Sequence, residues 1–525
     1  MQGRKSLVAQ AFSMSLGTLL SRVLGLVRES LLVALFPRTV TDAWSVAFRL
    51  PNLFRRLLGE GSLAVSFIPV FMDLLQKDQR DQSSEAIRFM NGFFTILLSI
   101  LVALTFAGMF FSREILTLLV SGEGYMSVPG KLDLTVQLAQ IMFVFILLIS
   151  VFAYYMAILN SFGHFGLPGF APTLFNVALI GSTLIPKEWG GAEGTYLAWG
   201  VVLGGFLQMA VLIPALIRIG QLPRFSTDWS SPGIRQVFRS VIPSWIGVGI
   251  LQMTVLVNTY FASHLSEGSH TWIYVADRIL ELPLSLFAVS MGSALLPRLS
   301  QLWSAGQREE FLQTTSRSLQ QILFVALPAG VGCAILAKPI VETLLGWGRF
   351  GPSDIEATSR ILQIYSIAVI TYAGVRIMVV PFYALKNTWL PAAFSAVSLG
   401  IHFFLGWHLT HRMGITGLTG SVVATSALNL ILLLIAYRIR IGPLEMSRLL
   451  PSLGKALVAA GVMALVLLFE PEVRQLFSPL PAPKIWSLAT MVTLGILSFF
   501  LTAELLKSEE SGALLRRLKA RLRPM

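Results

Sequence analysis

The sequence is short of charge, shorter still of acid, and almost without cysteine. Asp, Glu, Lys and Arg make up 13% of its 525 residues, against about a quarter in an ordinary soluble domain. With 54% hydrophobic residues and a mean hydropathy of +0.72, a soluble globule is excluded. The single cysteine, Cys333, excludes an intrachain disulfide framework and reads as a small buried apolar residue. No G-x-x-x-x-G-K-[ST] run is present to cradle ATP phosphates, and no H-E-x-x-H to hold zinc. His402, His408 and His411 lack metal spacing on one helix face and read as packing or interface residues. No polar block is long enough to form a separate catalytic domain. The chain therefore reads as an all-α polytopic membrane protein, not an enzyme, with no expected metal or cofactor.

What is present is a succession of apolar runs near the ~20 residues that cross the hydrocarbon. Breaks at polar, Pro and Gly residues give about fourteen spans, beginning near residues 13, 41, 88, 132, 168, 195, 240, 271, 318, 356, 390, 416, 453 and 485. The basic, then apolar, start "MQGRKSLVAQAFSMSLGTLL" lacks a small-residue cleavage site and reads as a retained first helix. Arginine and lysine outnumber the acids by 40 to 27. With the N-terminus in the cytoplasm, about 22 basic residues fall inside and about 8 outside, which satisfies the positive-inside rule. The excess is thus a topology signal rather than a nucleic-acid footprint, and both termini are expected in the cytoplasm. The tail "KSEESGALLRRLKARLRPM" reads as the last topological anchor.

A weak internal repeat carries more weight through its position. "AFRLPNL" at 47–53 resembles "ADRILEL" at 276–282, and "FIPVFMDLL" resembles "LLPRLSQL" about twenty residues later, pairing Arg49 with Arg278 and Pro69 with Pro297. The copies fall on the second and eighth spans, six apart, as parallel six-helix repeats would be. The expected organisation is a six-helix lobe over 1–225, a second over 226–445, and two added helices with a basic tail over 446–525. A V-shaped cavity between the lobes would be lined by the first two helices of each.

Those helices hold the intramembrane charges. Arg22, Arg28 and Glu29 lie in "SRVLGLVRES", Asp42 in "TDAW", Arg49, Arg55, Arg56 and Glu60 in "AFRLPNLFRRLLGEG", and Asp277, Arg278 and Glu281 in "ADRILEL". Each costs roughly 2.5 to 3.5 kcal/mol at mid-bilayer, so together they must face water, protein or one another. Arg56 and Glu60 are four apart and can pair; Asp277 and Glu281 share a face, with Arg278 about 100° round the helix. Five arginines against three acids in the first two spans leave positive charge in excess. A planar anion such as phosphate relieves it, since guanidinium presents a fixed fork of donors. A drug or cation antiporter needs an acidic cavity, and a mere scaffold needs its charges paired.

At these stretches, with "FASHLSEGS" and "FYALKNTWLP", the chain resembles the MurJ (MviN) family of lipid II flippases, within the multidrug, oligosaccharidyl-lipid and polysaccharide exporter superfamily. The matching stretches run from residue 21 to about 391. The resemblance implies two lobes with an alternating cavity, and lipid II, the undecaprenyl-diphosphate-linked cell-wall precursor, as cargo in the cytoplasmic membrane. It implies that Arg22, Arg28, Arg55 and Arg278 hold the diphosphate headgroup while Asp42, Asp277 and Glu281 gate or orient them; the charge pattern itself adds Arg56 to the headgroup set and Glu29, Arg49 and Glu60 to the gating or orienting set. Membrane lipids and transient contacts with cell-wall synthesis enzymes are the implied partners of a monomer. A flippase for another polyprenyl-diphosphate-linked oligosaccharide fits the charges equally. Where some members carry a sodium-binding acid this chain has Asn258, and its eleventh span offers no acid, so no sodium site carries over. The membrane potential favours outward movement of an anionic headgroup by ~2.3 kcal/mol per charge per 100 mV.

Overall fold

The computed structural model describes residues 2–59, 62–81, 83–186, 193–284 and 290–512, and among these there are helices and no strands. The chain divides into two compact units, 1–271 and 272–525. The expected lobe boundary at 225/226 and the unit boundary differ because the helix that opens the second repeat packs on the first unit.

In the first unit, α1 (Gln2–Leu35), α2 (Arg38–Gly59) and α3 (Ser62–Asp81) are followed by α4 (Glu85–Phe110). Two short helices, α5 (Ser112–Leu119) and α6 (Glu123–Met126), lead to α7 (Lys131–Met142) and α8 (Val144–Ser161), which together make one long rod. Then come α9 (Gly166–Thr183), α10 (Thr195–Ala210), α11 (Ile213–Arg218) and α12 (Pro232–Ala262). α12 lies against α3 and, less extensively, α2, α4 and α5. The broadest contact is α1 on α9, where a Cβ on Gly17 would sit 2.8 Å from the Gly169 carbonyl oxygen. Glycine there lets the two backbones approach, as small residues do between membrane helices. An aromatic cluster of Phe67, Phe71, Phe89, Phe93 and Tyr154 binds α3, α4 and α8, and the Tyr154 hydroxyl donates to the Met90 carbonyl at 2.7 Å.

The second unit takes in most of α13 (Ser269–Leu284), then α14 (Ser290–Ser304), α15 (Arg308–Ile335), α16 (Ala337–Leu345), α17 (Pro352–Ala384), α18 (Trp389–Met413) and α19 (Ile415–Arg440). It closes with α20 (Met446–Leu467), α21 (Glu470–Leu476) and α22 (Pro483–Leu505). The added pair α20 and α22 is welded to α15 through a core that includes Phe324, Leu327, Ala459, Met463, Met491 and Phe499. Arg474 on α21 ties the same pair to Glu342 on α16 at 2.8 Å.

Among the described residues nine helices are long and apolar enough to cross a membrane, taking α7 with α8 and α10 with α11 as single rods. α2 and α13, where spans were also expected, fall short for physical reasons: α2 carries five charged residues and α13 has only 16 residues. The repeat is visible in the helix order. α2 contains Pro51 and is followed by a separate α3 containing Pro69, just as α13 contains Pro283 and is followed by α14 containing Pro297. Sequence reasoning did not expect α3 and α14 as separate helices. The end of the basic tail, 513–525, lies outside the described residues.

Candidate functional site

α1 brings Arg28 to a buried position in the first unit. Its Nη1 donates to Asn176 Oδ1 on α9 at 2.9 Å, its Nη2 pairs with the carboxylate of Glu29, and its guanidinium lies 5.7 Å from the centre of the Phe175 ring. Asn176 also donates to the carbonyl of Ser21 at 2.8 Å and to its hydroxyl at 3.0 Å. One amide thus fixes both Arg28 and the turn of α1 that carries Arg22, which is half-buried. Glu29 is 1% exposed, so its charge is spent inside the protein.

On α2, Arg49, Arg55 and Arg56 are half-buried, and Arg55 Nε donates to Asn52 Oδ1 at 2.9 Å, one turn back. Glu60, expected to pair with Arg56, lies outside the described residues. In the second unit Arg278 Nη1 meets Glu281 Oε2 at 2.7 Å and its guanidinium sits 5.0 Å from the centre of the Tyr274 ring. Asp277 is half-buried beside this pair and acts electrostatically on Tyr372 of α17.

Among the described residues the partners of Asp42 are a lysine, backbone N–H groups and a hydroxyl rather than an arginine. Its fully buried carboxylate takes Lys131 Nζ at 2.8 Å, the Gly268 N–H at 2.8 Å, the Thr271 N–H at 2.9 Å and the Thr271 hydroxyl at 2.6 Å. The physical reason is the start of α13. The exposed N–H groups of a helix N-terminus attract an anion, and Lys131 supplies the balancing charge. Lys131 is 1% exposed, lies 4.5 Å from the centre of the Tyr125 ring and 3.9 Å from Glu267, whose carboxylate accepts from Thr39 at 2.6 Å.

Two residues escaped sequence reasoning. Lys131 was hidden because its partner is 89 residues away. Arg376, in "AGVRIMVVPFYA", stands in the apolar second half of α17, and a search for any lone charge in an apolar run finds it. Among the described residues the exposed Arg376 guanidinium has no hydrogen-bond or ion-pair partner. It lies one turn from Tyr372, on the side of α17 that feels Asp277. His402 is buried against Ser421 at 3.2 Å, whereas His408 and His411 are exposed. Among the described residues no group of His, Cys, Asp and Glu side chains is placed to hold a metal ion.

The sequence pattern of the family described as "Lipid II flippase MurJ" matches residues 32–485. A protein of Bdellovibrio bacteriovorus named "Probable lipid II flippase MurJ" is 40% identical over 516 residues, covering 98% of both chains. Among solved structures, one titled "Lipid II flippase MurJ, inward closed conformation" aligns with a TM-score of 0.77 at 21% identity, covering 94% of this chain and 98% of the other. An inward-facing multidrug transporter of the MATE family aligns with a TM-score of 0.68 at 13% identity, covering 80% of this chain and 94% of the other. The structural likenesses establish the shared fold.

Proposed function

This chain belongs to the family of lipid II flippases called MurJ, and from that we propose that it carries lipid II from the inner to the outer leaflet of the cytoplasmic membrane. The observation that carries this reading is 40% identity across 98% of both chains to a relative that bears that name. The arginines supply the chemistry. Arg22, Arg28, Arg55 and Arg56 in the first unit outnumber the acids beside them, and a diphosphate completes the balance; the second unit adds Arg278 and Arg376 of its own. Glu29 and Glu281 hold Arg28 and Arg278 in fixed orientations, so those forks are preorganised for an anion. Arg55 and Arg56 have no counterparts in the second repeat, where "LPLSLFAVS" is uncharged, and they are the asymmetric part of the site.

Movement of the cargo is by alternating access, the two lobes rocking about the bound headgroup, with both termini in the cytoplasm. Asp42 and Lys131, packed on the start of α13, act as a latch that holds one of the alternating states. The membrane potential favours outward movement of the anionic headgroup by ~2.3 kcal/mol per charge per 100 mV. No bond is made or broken, so the protein is a carrier and not an enzyme.

The test is rescue of a bacterium depleted of its own flippase, with lipid II in the outer leaflet measured directly. The chain should restore both growth and the outer-leaflet pool, and Arg55→Ala should restore neither while still reaching the membrane. A wild-type chain that reaches the membrane without raising the outer-leaflet pool would sink the reading.

A further inference from the structure

Residues 219–231 join α11 to α12 without helix, and part of this stretch runs as a strap along α4. The Arg224 N–H donates to Asn91 Oδ1 at 2.8 Å and the Ser226 N–H to Thr95 Oγ1 at 2.9 Å. A Cβ on Gly92 would come within 2.4 Å of the Asp228 carbonyl oxygen, so only glycine admits the strap this close. Phe225 rests against Phe94, ring centres 5.8 Å apart.

The depth of this strap is set by α4. At 1.5 Å per residue its 26 residues span about 39 Å, some 9 Å more than the ~30 Å of hydrocarbon. Asn91 and Thr95 stand roughly 9 and 15 Å from its start, so with the excess at this end Asn91 is at the edge of the hydrocarbon and Thr95 about 6 Å inside it, and the strap crosses the boundary between headgroups and hydrocarbon. There it turns two large aromatics outward, Phe225 at 75% and Trp229 at 58% exposure. Aromatic rings of this kind belong to the membrane interface.

Basic residues accompany them. Arg224, Arg235 and Arg239 are exposed, and among the described residues their guanidinium groups have no hydrogen-bond or ion-pair partner. Arg235 and Arg239 share a face of the first turns of α12. The acid within this stretch, Asp228, is engaged by the Ser230 hydroxyl at 2.5 Å and the Ser230 N–H at 3.1 Å. Three free forks beside two interfacial aromatics are complementary to a phosphodiester at the top of an acyl chain.

We propose that residues 224–239 bind anionic phospholipid headgroups, with Phe225 and Trp229 seated at the edge of the hydrocarbon and Arg224, Arg235 and Arg239 on the phosphate. By the loop-charge count this is the cytoplasmic leaflet. The site is separate from the cargo arginines and operates in vesicles that hold no lipid II.

The lone cysteine makes the test direct. In a Cys333→Ser background, Phe225→Cys is labelled with a bimane fluorophore, and the full chain is placed in vesicles of fixed phosphatidylcholine and phosphatidylglycerol content. Bromine quenchers are carried by the chains of one lipid or of the other. The bimane should be quenched by brominated phosphatidylglycerol about fivefold beyond its mole fraction, the selectivity one interfacial arginine confers. The Arg224→Gln, Arg235→Gln, Arg239→Gln triple should bring quenching down to mole fraction, and the corresponding Lys triple should keep most of the preference. A label at Phe106, exposed on α4, should respond alike in every variant and so report intact insertion. The parent measurement alone decides. Quenching in proportion to mole fraction means apolar seating without headgroup recognition, and no quenching means a strap in water; either overturns the proposal.

Discussion

Lys131 and Asp42 form an ion pair of 2.8 Å in which each side chain is only 1% exposed. Pairs this deeply buried contribute little net stability over an apolar replacement, yet removing one partner strands the other charge at a cost of about 3–5 kcal/mol. Lys131→Met should therefore lower the melting temperature sharply. The double variant Lys131→Met, Asp42→Asn should recover part of that loss. If the double melts below the single, the two charges do not compensate each other and the latch is misassigned.

A neighbouring contact makes a second, steric prediction. Gly124 on α6 stands where a Cβ would lie 1.9 Å from the Leu265 carbonyl oxygen, and the adjacent backbone is bonded through Tyr125 N–H to Ser263 O at 2.8 Å. Backbone on both sides cannot give way cheaply, so Gly124→Ala should cost about 1–3 kcal/mol by overpacking. Gly181→Ala is the control, since a Cβ there meets nothing within 4 Å, and in the last turn of α9 it should be neutral or stabilising by less than ~1 kcal/mol. Equal melting shifts in the two variants would remove the steric account.

Hydropathy made the helical class, nine of the about fourteen expected spans and the Pro-containing repeat legible among the described residues, because each is a local property of the chain. Arg22, Arg28, Asp42, Arg49, Arg55, Arg56, Asp277, Arg278 and Glu281 were legible as expensive residues for the same reason. Their partners were not. Asn176 reaches Arg28 across 148 residues and Lys131 reaches Asp42 across 89, and no periodicity encodes such a pairing. The division between α2, which ends at Gly59, and α3, which begins at Ser62, was missed because apolar residues resume at once in "SLAVSFIPVF".

The Asn176 contact can be tested without touching an ionisable group. Asn176→Leu removes the acceptor of Arg28 and both bonds to Ser21 while keeping the branching and number of side-chain heavy atoms of asparagine. Losing a hydrogen bond to a charged group is worth roughly 1.5–3 kcal/mol. Outer-leaflet lipid II in the rescue assay should fall about tenfold or more, with Asn176→Gln impaired less. Undiminished flux in Asn176→Leu would show that the orientation of Arg28 does not matter to transport.

The junction of α3 and α4 should respond to acid. Partial burial pushes the Asp78 carboxyl up, but the Ser83 hydroxyl and the backbone N–H groups of Ala86 and Glu85, at 2.9 and 3.0 Å, pull it further down, so it lies below its ordinary value. A depressed carboxyl stabilises the fold above the unfolded value of ~3.9, and that contribution is lost as pH falls through the folded value. Amide exchange at Glu85 and Ala86, corrected for intrinsic rate, should be flat from neutral pH to about 4 and rise below it. In Asp78→Ala these amides should exchange fast at every pH; the same steep acid rise in that variant would assign the transition to another group.

Arg376 is the residue whose replacement should separate stability from transport most cleanly. It is exposed on α17, and with no partner among the described residues its loss leaves no buried charge behind. Surface substitutions of this kind stay within about 0.5 kcal/mol, so Arg376→Gln should melt with the parent. If its guanidinium joins Arg278 on the headgroup, the variant forfeits a charge-assisted bond to phosphate, worth roughly 1.5–3 kcal/mol, and outer-leaflet lipid II should drop by about tenfold or more. Arg376→Lys keeps the charge but not the fork, and should fall between the two. Full flux in Arg376→Gln with an unchanged melting temperature would take this arginine out of the site, whereas a lowered melting temperature would mean that it holds the second unit together instead.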